Sequence, residues 1–184
     1  MRGLFYIPRI VKASKLGDAA ILKVLIKILS ENKIKVIKLN TFNPELTLKR
    51  GIYTKIKPTL PEKEEIVIGI KALKKINAYD HTQAVIIRDN KVISRETRKG
   101  TKEMIKSIAK SKIKKGILIK LPKAKQDLRV DLPTIGIDTF KDCNKVGIKG
   151  IVVKSNQNII LNKEVSIKYA NQNKLFLIAL WKKF

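Results

Sequence analysis

Acidic residues are scarce in this chain: 15 Asp plus Glu stand against 41 Lys plus Arg, a formal net charge of +26 over 184 residues. It has one cysteine, Cys143, and one histidine, His81. A lone cysteine excludes an internal disulfide and suits a reducing compartment. One histidine and one cysteine are too few for a zinc site of the His/Cys type, and a lone histidine beside a strand start is most simply a surface or packed residue. Aromatics are only 5% of the chain, which speaks against a reader that stacks nucleic-acid bases. No apolar run approaches the length of a membrane span, since Lys23 and Lys27 interrupt the best stretch, Ala19 to Leu29. Met1 to Lys12 holds too short an apolar stretch for a secretion signal, and Pro8 breaks it. These absences point to the cytoplasm.

Apolar residues make up 44%, enough for a chain of this length to bury a core without a disulfide or metal. The positive charge is nearly all lysine, with only seven arginines. Such a field attracts polyanions, including nucleic acid, anionic membrane surfaces and phosphorylated substrates. Lys, Ile and Asn share AT-rich codons, so base composition alone yields the same balance. The lysines are spread along the chain and no nucleic-acid motif appears, so no specific nucleic-acid partner is expected.

Gly17-Asp18 followed by AAILKVLIKILSE reads as a helix capped by Asp18. Ile34 to Leu39 alternates apolar with lysine and predicts a strand, and Pro44 opens a turn of helix. Pro58 and Pro61 bracket a new start. They separate a short N-terminal segment and linker, 1–57, from a larger domain, 58–184. Glu62, Glu64 and Glu65 then sit in the first turn of a helix to Asn77. Residues 83–95 read as two strands around Asp89-Asn90. Gly100-Thr101 caps a helix to Lys112, with Met104, Ile105, Ile108 and Ala109 inward. Strand 116–120, a long polar loop to Gly136, helix 138–146, strand 150–154, helix 163–173 and a buried strand 175–180 follow. The alternation predicts an α/β fold, three-layered, with a largely parallel sheet and helices packed on it.

Ligands of open α/β sheets gather at loops leaving the carboxyl ends of strands, and residues 116–139 supply such a loop. Asp127, Asp131, Asp138 and Asp142 crowd into sixteen residues of an acid-poor chain, among Lys120, Lys123, Lys125 and Arg129. Interleaved carboxylates and cations suit phosphoryl chemistry, the former holding Mg²⁺ and the latter neutralising phosphate oxygens. Solvated ion pairs, with Asp138 as a helix cap, explain the same spacing.

The string Lys120-Leu-Pro-Lys-Ala-Lys-Gln126-Asp127-Leu-Arg129-Val-Asp131-Leu-Pro-Thr134-Ile-Gly136 resembles the pattern of the LpxI-type UDP-diacylglucosamine pyrophosphatases of lipid A synthesis. So do Gly17-Asp18, Asp80 and Gln83 before Ala84-Val85, Gly100-Thr101 before Met104, Gly147-Ile-Lys-Gly150-Ile and the last strand. The likeness spans roughly residues 14 to 180. It implies Mg²⁺-dependent cleavage of the pyrophosphate of UDP-2,3-diacylglucosamine to UMP and lipid X. It also implies that Asp127 is the catalytic aspartate, organising Mg²⁺ and the attacking water. Spacing makes Asp131 a second metal carboxylate. Lys120, Lys123 and Arg129 are expected to clamp phosphate, with Gln126, Thr134, Gln83, Gly100 and Thr101 lining the pocket. Thr101 also has a bland local job as helix cap.

The pattern also departs from that family. Its members carry a further N-terminal domain, opening with a strand and a Gly-rich turn, that this chain is expected to lack. The family's Glu-Gly-Thr-Asp reads Lys99-Gly100-Thr101-Lys102, and Asp-x-Gly-Gln reads Asp80-His81-Thr82-Gln83. Expected partners are therefore the lipid-linked nucleotide sugar, a separately encoded N-terminal half, a second copy in a homodimer, and the anionic inner-membrane surface by peripheral contact. A degenerate remnant acting as a binding partner and a basic nucleic-acid-binding module are the alternatives.

Overall fold

Four runs of β-branched and aliphatic residues, 84–88, 117–120, 150–154 and 176–180, are buried along nearly their whole length, as strands covered on both faces require. In the computed structural model, which describes residues 2–77, 82–124 and 126–181, these are β2 (Ala84–Arg88), β4 (Ile117–Lys120), β6 (Gly150–Lys154) and β8 (Phe176–Leu180). With β1 (Gly51–Ile52) and β3 (Lys91–Arg95) they form one sheet of order β1-β8-β6-β4-β2-β3. Its heart, β4-β6-β8, is parallel, and β1, β2 and β3 join antiparallel at the two flanks. β3 is an edge, and its alternating exposure fits one covered face. Asp89 and Asn90 both take positive φ, 52° and 60°, the two-residue turn that matches strand twist.

Side-chain alternation divides the core in two. Val85, Ile87, Ile117, Ile119, Val152, Phe176 and Ile178 face α4 (Leu60–Asn77) through its Ile66, Ile70 and Leu73. Ile86, Leu118, Ile151, Val153 and Leu177 face the other way. They pack on α5 (Gly100–Lys106), α6 (Ile137–Lys145) and α7 (Lys163–Gln172) through Met104, Ile105, Phe140, Cys143 and Ala170. This is the three-layer α/β arrangement expected from the sequence. A small parallel pair, β5 (Thr134–Ile135) with β7 (Ile159–Ile160), lies beside it and had no counterpart in the sequence reading.

The first helices stand apart from these layers. α1 (Ile7–Ser14) and α2 (Asp18–Glu31) form a hairpin held by Arg9, which donates to both oxygens of Glu31 at 2.6 and 2.9 Å, and by Asn32 Nδ2 on the Tyr6 hydroxyl at 2.9 Å. Among the described residues, ten of the nineteen exposed large apolar side chains fall in the first 42 positions, so this segment contributes little to the core.

Three expectations need correction. Gly17, with φ 96°, occupies the cap position of α2, and Asp18 is the first helical residue. Residues 34–38 belong to no helix or strand, and Leu39 begins the short helix α3 (Leu39–Phe42). None of residues 34–38 is buried, so the alternation finds no sheet to join. α5 stops at Lys106 instead of running to 112. Ser107 turns its hydroxyl onto the Met104 carbonyl, Ala109 O accepts from Arg88, and the amides of Ser111 and Lys115 bond the carbonyls of Val146 and Gly147. Those tertiary bonds win over helix propensity, and Ala109 is exposed rather than inward.

Candidate functional site

Strand direction gathers the polar residues at one edge. Lys120 ends β4, and its register partner Ala84 begins the antiparallel β2. β3 runs back beside β2, so Glu96, just after its end, arrives at the same place, its amide on the Ala84 carbonyl at 2.9 Å. The carboxyl edge of the parallel strands thus receives the loops at 82–83, 96–99, 121–124 with 126–133, and 155–158.

At its centre lies a buried chain of hydrogen bonds. Lys120 Nζ donates to Thr101 Oγ1 at 2.6 Å, and Thr101 Oγ1 donates in turn to Glu96 Oε1. Lys120 Nζ and Glu96 Oε1 are 3.8 Å apart, with side chains only 8% and 7% exposed. The other oxygen of Glu96 accepts the Gln83 amide at 3.2 Å, and its carbonyl accepts the Thr82 hydroxyl at 2.9 Å. Burial pushes the Lys120 ammonium below its ordinary pKa, the Glu96 carboxylate opposes that, and the Lys123 charge adds to it. Asn158, 1% exposed, bonds the Lys120 carbonyl at 3.1 Å and the Lys154 amide at 2.9 Å, tying the ends of β4 and β6 together.

A second group forms on the loop after Lys120. The Lys123 amide donates to Gln126 Oε1 at 2.9 Å. Residues 127–131 then make a turn, the amides of Val130 and Asp131 on the Asp127 carbonyl. Arg129 engages Asp127 three ways: its amide and Nε on Oδ1 at 3.1 and 3.0 Å, and Nη2 on Oδ2 at 2.7 Å. The Arg129 guanidinium holds the Asp127 carboxyl at a pKa of about 2, burial opposing, with Lys23 of α2 contributing at longer range. Beside this turn, Leu128, Lys38, Asn40, Gln157 and Trp181 help line an open cavity of about 270 Å³.

Of the residues singled out in the sequence, Lys120 and Thr101 bond directly, and Gln83 joins them through the Glu96 carboxylate. Lys123 joins Gln126, while Asp127, Arg129 and Asp131 share one turn. Gly100 supplies the positive φ, 83°, that opens α5. Thr134 keeps to itself, its hydroxyl on the Leu132 carbonyl at 3.1 Å. Thr101 is not a cap: that position is Lys99, without a side-chain bond, and the Thr101 hydroxyl is spent in the buried chain. Lys99 and Lys102 are both exposed. Asp80, His81 and Lys125 lie outside the described residues. Sequence reasoning missed Glu96, Thr82 and Asn158. The signal for Glu96 was an acid directly after a strand in an acid-poor chain, whereas nothing local marks Asn158.

Two glutamine atoms, Gln83 Oε1 and Gln126 Nε2, are buried without a hydrogen-bond partner among the described residues. Native interiors rarely leave such groups unpaired, and a bound ligand is one remedy. Among the described residues no three Asp, Glu, His or Cys side chains gather. The turn offers two carboxylates, Asp127 and Asp131, and Mg²⁺ typically takes one or two, completing its shell with water and phosphate. That donor set fits the ion, although Arg129 occupies both Asp127 oxygens.

Together these features define a three-layer α/β domain with a cationic, carboxylate-bearing site at the carboxyl edge of its parallel strands. The chain belongs to the LpxI C-terminal domain family, which matches residues 49–178, from the approach to β1 through most of β8. It is similar to the UDP-2,3-diacylglucosamine pyrophosphatase LpxI of Caulobacter vibrioides, 27% identical over 187 aligned residues that cover 97% of this chain and 67% of that protein. Among the described residues, no helix is long and apolar enough to cross a membrane.

Proposed function

We propose that this chain hydrolyses the pyrophosphate of UDP-2,3-diacylglucosamine, releasing UMP and the diacylglucosamine phosphate lipid X. Water supplies the oxygen that bonds to one phosphorus, and the bridging oxygen leaves with the other phosphate. The single observation that carries the reading is the buried Lys120 ammonium at the end of β4, where the strand leads into the loop that bears the Gln126-Asp127-Arg129 turn. Membership of the family and the likeness to the Caulobacter enzyme support it.

Lys120 would neutralise a phosphate oxygen where low dielectric makes its charge count most. Arg129 and Lys123 extend that clamp, and Gln83 and Gln126 offer an acceptor and a donor to the rest of the nucleotide. Asp127 and Asp131 would hold Mg²⁺, which supplies charge neutralisation at the phosphates when bound. Asp127, fully ionised at neutral pH, orients the attacking water.

The test is UMP release from UDP-2,3-diacylglucosamine with Mg²⁺, with Asp127→Ala and added chelator as controls. Release abolished by both controls is the expected result. Well-folded wild-type protein that releases no UMP refutes the proposal for this chain acting alone.

A further inference from the structure

The proposed reaction gives Glu96 no part, yet the carboxylate is buried and wired into the edge on every side. Chemistry fixes the direction of the Lys120–Thr101–Glu96 chain. An ammonium only donates and a carboxylate only accepts. Thr101 therefore takes its bond from Lys120 Nζ and gives its own proton to Glu96. Among the described residues Thr101 is the acceptor that Lys120 Nζ reaches, with Glu96 Oε1 beyond hydrogen-bond range at 3.8 Å. Two of the three ammonium protons are left for a ligand, on a residue only 6% exposed. A buried charge with unused donors is costly until an acceptor completes it.

Glu96 cannot swing away from this arrangement. Its backbone amide is fixed on Ala84, its carbonyl by Thr82, and its second carboxylate oxygen by the Gln83 amide. Thr101 is placed equally firmly in the second residue of α5, behind the positive-φ turn at Gly100. We propose that Glu96, acting through Thr101, is the positioning residue that orients Lys120 toward a phosphate oxygen of the nucleotide. It makes no contact with substrate itself. This rests on the reading of Lys120 as a phosphate ligand.

The charged groups that act on Lys120 are Glu96, from the segment after β3, and Lys123, from its own loop. Burial and Lys123 lower its pKa and Glu96 raises it. Removing the carboxylate therefore deprotonates Lys120 at lower pH, a signature that a merely structural role does not produce.

The experiment is titration of the full chain with UDP and Mg²⁺ by calorimetry from pH 6 to pH 9, on wild type, Glu96→Gln, Thr101→Val and Lys120→Met. Lys120→Met should weaken UDP binding about tenfold across the range, the loss of one charge-assisted contact. Glu96→Gln and Thr101→Val should bind nearly as wild type at pH 6. They should then fall away from wild type as pH rises, toward the about tenfold loss of Lys120→Met, because each takes from the ammonium a partner that holds its proton: the Glu96 charge in one variant, the Thr101 oxygen in the other. Thr101→Val cuts the same chain without touching the buried acid, so the test survives if Glu96→Gln fails to fold. Wild-type affinity at every pH in both variants overturns the proposal, and so does equal weakening at every pH. If Lys120→Met leaves binding intact, the phosphate reading has failed and the role of Glu96 falls with it. If Lys120→Met weakens binding and the other two do not, only the role of Glu96 is lost.

Discussion

Gly150 opens β6 opposite Phe176 of β8, and the Phe176 ring lies directly over it. A Cβ at position 150 would overlap three carbons of that ring, Cε1, Cε2 and Cζ, inside any van der Waals contact. The ring has nowhere to go, being wholly buried with Val85, Ile117, Val152 and Ile178 in the layer beneath α4. Gly150→Ala must either push an aromatic off its rotamer or part β6 from β8. Overpacking alone costs about 1–3 kcal/mol. Losing the seat of a buried phenylalanine costs about 3–5 kcal/mol, and a rigid ring over backbone belongs at that end. In a domain of this size, that lowers Tm by about 6–20 °C. Urea unfolding should show the midpoint falling with m unchanged. Combined with Gly150→Ala, the change Phe176→Leu should cost less than it does in wild type, by about 1 kcal/mol or more. Because Gly150 and Lys154 stand at opposite ends of β6, about 13 Å apart, turnover measured well below Tm should survive. A Gly150→Ala protein within about 0.5 kcal/mol of wild type, the ordinary range of an exposed substitution, would refute this account of β6–β8 packing.

Other expectations can be checked as directly. Arg129→Gln removes the guanidinium from both oxygens of Asp127 and leaves only the backbone amide of residue 129 on Oδ1, so half-activating Mg²⁺ should fall about two- to fivefold while substrate KM rises. If the two move together, Arg129 does not compete with the ion. Arg129 depresses the Asp127 pKa, so the pair's stability contribution is present above about pH 4 and lost as pH falls through about 2. The urea midpoints of wild type and Asp127→Asn should therefore converge between pH 4 and pH 2. Cys143 is fully buried, and burial pushes its thiol pKa up. It should ignore a thiol reagent in buffer and react once per chain in urea, and rapid labelling of native protein would contradict the packing of α6.

The layered fold was legible because its signals are local. The fully apolar runs at 84–87, 117–119, 151–153 and 176–179 read as covered strands, and Asp89-Asn90 between the first of them and the alternating run 91–95 reads as a tight turn. Ile34 to Leu39 misled because alternation records only which side chains are apolar, and not whether a neighbouring strand exists to receive them. The end of α5 was hidden for a related reason: the bonds that stop it come from Arg88, Val146 and Gly147, distant in sequence. The site divides in the same manner. Asp127, Arg129 and Asp131 are near neighbours in sequence, so their place together on one polar loop was legible, whereas the turn that closes on the Asp127 carbonyl was not. Glu96 and Asn158 reach Lys120 only because antiparallel β2 and β3 and parallel β6 deliver their ends to one edge.

The pairing of β1 with β8 has a consequence for how the protein is made. Gly51 and Ile52 pair with Ala179 and Ile178, Thr54 accepts the Leu177 amide at 2.9 Å, and Lys55 donates to Asn171 at 2.7 Å. A chain leaving the ribosome amino end first exposes this segment long before its partner has been translated. The closing of the β1–β8 edge thus waits for residues about 125 positions further along the chain. Until then the nascent chain carries an open strand edge, the form most prone to pair with the wrong neighbour.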